Sequence, residues 1–116
     1  MNTEYIHWIA ENRAAAVWAE LREIFPELAR TSIGVKINAR LRSTAARCFL
    51  EHGYIDVNPR MMAANMDEFI RVIIPHELAH QVAYDLFADC GHGQAWKDIM
   101  IMLGLPPARC HNMETA

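Results

Sequence analysis

Apolar positions in the first stretch of the chain recur at steps of three and four. Ile6, Ile9, Ala14, Val17, Leu21 and Ile24 follow that rhythm, which predicts an amphipathic helix. Asn2 or Thr3 can cap its start, and Pro26 marks its end. Trp8 and Trp18 are expected to help cover the core. The period then changes to two. In Ile33-Gly34-Val35-Lys36-Ile37 apolar residues alternate with small or polar ones, which predicts a strand. Arg40 to Thr44 is a polar connection. Ala46 to Glu51 and Tyr54 to Val57 flank His52-Gly53, the pattern of a hairpin. Asn58-Pro59 closes that strand and disfavours helix at residue 58.

Helical periodicity returns after Asn65. Asn65 and Glu68 have the spacing of a capping box, and Met66, Phe69, Ile70, Ile73 and Ile74 follow. Pro75 removes a backbone donor, so a kink is expected there. The pattern resumes through Leu78, Val82 and Phe87. Gly91 and Gly93 mark a sharp turn around His92. A last helix is expected from about Gln94 to Leu103, with Trp96, Ile99, Met100 and Leu103 on its apolar side and Gly104 as its C-terminal cap. The order predicts one α+β domain over residues 1–116: an N-terminal helix, a small, mostly antiparallel three-stranded sheet, a long helix and a C-terminal helix.

Composition adds boundaries. At 116 residues and 53% hydrophobic content, one domain with a modest core is expected. No internal repeat or low-complexity tract interrupts it. The three cysteines, Cys48, Cys90 and Cys110, form no C-x-x-C pair, so neither a disulfide framework nor a zinc ribbon is indicated. No signal peptide and no membrane-length apolar run are visible, so an intracellular, cytoplasmic and soluble protein without membrane partners is expected. Net charge is −3, which argues against polyanion binding by bulk charge. Yet Arg30, Lys36, Arg40, Arg42 and Arg47 all fall between Glu27 and Glu51 with no acidic residue among them. This stretch reads as a solvated face or, more sharply, as a phosphate-contacting patch.

The chemistry concentrates in His76-Glu77-Leu78-Ala79-His80. Residues four apart on a helix project from one face, so His76 and His80 can fill two corners of a tetrahedral zinc site. Glu77 lies about 100° further around the axis. It can reach a water in an open corner without filling that corner, and can act as its general base. The surrounding Ile73, Ile74, Leu78 and Val82 mark a core-packed helix. Two histidines and a carboxylate buried there without partners would cost several kcal/mol, and a metal supplies the partner.

A catalytic site needs a third protein ligand. The metzincin spacing wants Gly and His at positions that here hold Ala83 and Leu86. Asp98 suits a glutamate-type role less well because its side chain is short. His92 is the better donor: it follows His80 after a helix end, between glycines that let the backbone turn back. Cys90 is its rival. His7 and His52 fall in other elements and read as surface residues. His111 is a weaker candidate near the C-terminus. One ion is expected, zinc before cobalt, nickel or manganese.

At these residues the sequence resembles the SprT-like family, which includes the Spartan proteases acting on DNA–protein crosslinks. The resemblance runs from about Ser43 to His111. It is carried by Val72-Ile73-Ile74-Pro75-His76-Glu77-Leu78-Ala79-His80 and Gly91-His92-Gly93-Gln94-Ala95-Trp96-Lys97, with Tyr54 to Pro59 and Gly104 to His111 in support. It implies a minimal zincin-like metalloprotease domain, zinc on His76, His80 and His92, and Glu77 as the catalytic residue. It also implies cleavage of proteins, often in association with DNA. Many bacterial relatives continue into a cysteine-rich zinc ribbon beyond the position of His111, and no such ribbon is expected in this sequence. Arg30, Lys36, Arg40, Arg42 and Arg47 are then the internal candidates for DNA contact. Two other readings stand beside the protease: a non-catalytic, zinc-stabilised recruitment module, and another zinc hydrolase of deformylase type, in which Cys48 would be the upstream ligand.

Overall fold

The computed structural model is described for residues 2–107, so Cys110 and His111 lie outside the described residues. Helix α1 (Thr3–Ile24) is capped by the Asn2 side chain, which accepts the Tyr5 amide. It buries Ile6, Ala10, Ala14, Val17, Trp18 and Leu21. Trp18 follows this row and donates its ring N–H to the Arg30 carbonyl at 3.0 Å. Trp8 does not join the core: it is 60% exposed and stacks on Tyr5. Position 8 is about 200° around the helix from Ile6, on the opposite face.

Three strands follow: β1 (Gly34–Ile37), β2 (Ala46–Phe49) and β3 (Tyr54–Val57). Their spatial order is β1-β3-β2. The expected hairpin forms, with β2 antiparallel to β3. The sheet as a whole is mixed rather than mostly antiparallel, because β1 pairs with β3 in parallel. Burial explains the arrangement. Ile55 and Val57 of β3 are fully buried, so β3 takes the centre, and the half-exposed β2 takes an edge. The rows Val35/Ile55/Cys48 and Ile37/Val57/Ala46 share one face, and Lys36/Asp56/Arg47 lies on the other.

Asn58 ends β3 and also begins a helix that periodicity had not revealed, α2 (Pro59–Ala64). Its Oδ1 accepts the amides of Arg60 and Met61, and Pro59 occupies the first turn, where no donor is needed. Its Nδ2 donates to the carbonyls of Leu41, Arg42 and Thr44. One fully buried amide thus ties the β1–β2 crossover to the end of β3. Asn65 does not form the expected capping box. Its Nδ2 donates back to the Met61 carbonyl, closing α2 instead.

Helix α3 (Met66–Glu68) runs into a π-helical turn, Phe69–Ile73, and then α4 (Ile74–Phe87). The widened turn is how the chain accommodates Pro75. In π-helical bonding the Ile70 carbonyl would await the residue-75 amide, which proline lacks. The Arg13 side chain of α1 donates to that carbonyl at 2.7 Å instead. Helix α5 (Gln94–Met102) closes the domain, and Gly104 follows at φ +76. No helix among the described residues is long and apolar enough to cross a membrane.

Asn58→Ala should destabilise the fold by about 2–4 kcal/mol, since it strips a cap and leaves three carbonyls without a buried donor. Urea unfolding measures this. A loss below about 0.5 kcal/mol would contradict the role given to Asn58.

Candidate metal centre

Helix α4 presents His76 and His80 on the face turned toward α5 and the loop before it. The Nε2 atoms of His80 and His76 are 3.2 Å apart, and those of His80 and His92 are 3.1 Å apart. All three donor atoms lie within 4.8 Å of one another. Tetrahedral zinc with Zn–N bonds near 2.0–2.1 Å sets its nitrogens about 3.3 Å apart. The donor set therefore fits a divalent cation in chemistry and in span. Crowding also argues for a cation. The His80 ring hydrogen-bonds the Gly91 backbone, which leaves Nε2 of neutral His80 as the unprotonated nitrogen. That single lone pair faces two imidazole nitrogens.

The loop that brings in His92 is built around Asp89. Its carboxylate accepts the amides of Gly91 at 3.0 Å and Trp96 at 3.3 Å, with a further backbone bond to Gly93. These bonds hold its carboxyl below the usual carboxylate range. A Cβ on Gly93 would fall 2.7 Å from Asp89 Oδ2, so any larger residue there would push the carboxylate out of place. Trp96, fully buried, packs against all three imidazoles, with ring centroids 4.9, 5.1 and 4.6 Å from His76, His80 and His92. The sequence marked Trp96 as apolar core. Its role as the floor of the cluster comes from the packing of α5 on α4, which periodicity does not report.

Glu77 faces a cleft of about 380 Å³ shared by the imidazoles and by Ala46, Arg47 and Cys48 of β2. Its Oε2 is 3.8 Å from His76 Nε2. The other candidate ligands fall elsewhere. Asp98 is exposed and accepts the Gln94 amide. Cys90 lines the cleft but is not among the clustered donors. The Cys48 thiol donates to Gln81 Oε1, and burial, then the charge of Glu77, pushes it up to about 12. Cys48 is not among the clustered donors, which disfavours the deformylase-type ligand set. His7 bonds the Val35 carbonyl and His52 lies by Tyr54, both away from the cluster.

The basic stretch does not act as a unit. Arg30 pairs with Asp85 at 2.8 Å, Arg47 with Asp56 at 2.7 Å, and Lys36 sits over the Tyr54 ring. Arg40 and Arg42 make no ion pair among the described residues. Together with Arg60 they line an open concavity of about 940 Å³. Arg60 lies outside the stretch in sequence and was not anticipated.

The sequence model of the SprT-like family matches residues 15–112, and the chain belongs to that family. It is 34% identical over 101 residues to Protein SprT of Escherichia fergusonii, covering 84% of this chain and 61% of that one. It is 38% identical over 85 residues to Protein SprT of Pseudomonas entomophila, covering 68% and 51%. The matched region thus spans about half to three-fifths of the length of these relatives. No solved structure matches the chain.

With no cation beside them, two groups at the site titrate abnormally. Burial, reinforced by Asp56, pushes the Glu77 carboxyl up from 4.5 to about 8. Burial, reinforced by His92, draws His80 down from 6.5 to about 4. Folded Glu77 keeps a proton that the unfolded chain releases, so it costs stability as pH rises from 4.5 to about 8. Folded His80 refuses a proton that the unfolded chain binds, so it costs stability as pH falls from 6.5 to about 4. The two offset where they overlap, and above 6.5 only Glu77 acts. Chelator-treated protein should lose about 2 kcal/mol between pH 6.5 and 8 in urea unfolding, and Glu77→Gln should remove that slope. An equal slope in the variant would refute the assignment.

Proposed function

We propose that the chain is a zinc-dependent endopeptidase that holds one Zn²⁺ on His76, His80 and His92 and hydrolyses peptide bonds with Glu77 as general base. The observation that carries this reading is the convergence of three imidazole nitrogens beside a buried carboxylate, in a cleft bounded by an edge strand. Zinc, when bound, would supply Lewis acidity, which acidifies water and polarises a peptide carbonyl. The chain's own groups would do the rest. Glu77 takes the proton of the attacking water and later delivers it to the leaving amine nitrogen. Trp96 holds the three rings in place. The outer edge of β2 would receive an extended segment of substrate by backbone hydrogen bonding, which favours unfolded regions over particular sequences.

The proposed substrates are proteins associated with DNA, including crosslinked ones. Support for this comes from the family and from the concavity bounded by Arg40, Arg42 and Arg60, none of which is in an ion pair among the described residues. Arg30 and Arg47 are engaged with carboxylates and would add little.

Zinc-loaded wild type should cleave an unfolded protein, and Glu77→Gln should bind zinc equally while losing about 10²–10⁴-fold in rate. If both variants hold zinc and neither cuts, with or without DNA, the protease reading fails and a recruitment module is favoured. In fluorescence anisotropy, replacing Arg40, Arg42 and Arg60 with alanine should flatten the salt dependence of DNA binding by about two to three phosphate contacts. An unchanged slope would remove this surface from the account.

A further inference from the structure

The residue after His80 is a glutamine with no exposed surface, and every polar atom of its side chain is engaged. Gln81 Nε2 donates to the Leu50 carbonyl at 2.8 Å and to Asp85 Oδ1 at 2.9 Å. Its Oε1 accepts the Cys48 thiol. Asp85 Oδ2 accepts Arg30 Nε at 2.8 Å, and the same guanidinium donates to the Leu50 carbonyl at 3.2 Å. One carbonyl at the end of β2 is therefore held from two directions. Gly53 lies against this guanidinium, and a Cβ there would collide with it.

Position on the helix gives this network its meaning. Glu77, Gln81 and Asp85 stand four apart, so they form one row along α4. The first member faces the cleft, Gln81 bonds the Cys48 thiol of β2 and the Leu50 carbonyl just beyond that strand, and Asp85 braces Gln81 and Arg30. β3 holds β2 along one side only. The bonds from Gln81 therefore give β2 a second hold, toward α4, besides its ladder with β3.

We infer that Gln81, braced by Asp85 and Arg30, is a positioning residue that sets the height of β2 above the three imidazoles, and with it the register of an extended substrate. The inference rests on the reading that β2 receives substrate. It adds a residue that touches neither metal nor substrate but governs how the two meet.

The test uses Gln81→Met, which keeps side-chain length and apolar packing but removes the hydrogen bonds. In the zinc-loaded full chain carrying Glu77→Gln, an unstructured fluorescent peptide should bind about tenfold more weakly when Gln81→Met is added. Hydrogen exchange should quicken at Arg47–Leu50 and stay unchanged across His76–His80. In the cleaving background KM should rise about tenfold, with kcat changed less than about twofold. Val17→Ala, in the α1 core, supplies a variant of lowered melting temperature with an intact strut, and it should bind peptide as the parent does. Unchanged peptide affinity in Gln81→Met would overturn the proposal, as would equal weakening in Val17→Ala. Binding that depends on Gln81 in a chain that never cuts would sink the protease reading and leave this one standing. Cleavage with the same KM in Gln81→Met and wild type would do the reverse.

Discussion

Three imidazole nitrogens crowded to about hydrogen-bond distance are the constraint around which this small domain is organised. With Nε2 of His80 as acceptor, one lone pair faces two imidazole neighbours. A divalent cation resolves this crowding for all three. The rest of the fold serves to maintain the crowding against its cost. Helix α4 supplies two of the rings one turn apart. The Asp89-centred loop delivers the third, and Trp96 packs against all three rings.

The same helix solves a second problem, the distance to the opposite wall. The row Glu77–Gln81–Asp85 carries the carboxylate first and the grip on β2 after it. Upstream, a π-helical turn precedes Pro75, and Arg13 satisfies the carbonyl that the proline leaves. Helix α1 therefore reaches the turn before α4 through a single side-chain hydrogen bond.

Local periodicity in the sequence located α1, β1, α4 and α5, and the His52-Gly53 turn located β2 and β3. His76, His80 and His92 were legible for a related reason: a four-residue step and a glycine-flanked turn are local features that dictate where side chains go. What was not legible is tertiary. The parallel partner of β1 depends on which strand is buried deepest, and no pattern within β1 encodes that. Asn58-Pro59 carries two signatures at once, the end of a strand and the start of a helix. The basic stretch looked uniform because Asp56 and Asp85, which neutralise two of its members, come from other elements. Trp8 and Trp18 share a helix, and only their angle around it separates surface from core.

The most direct test of the central claim is X-ray absorption at the zinc edge of stoichiometrically loaded protein, with His92→Ala alongside. The account predicts three imidazole nitrogens near 2.0 Å with no sulfur in the wild type, and a markedly weaker site with two imidazoles in the variant. A sulfur ligand in the wild type, from Cys48 or Cys90, or a site indifferent to the loss of His92, would contradict it.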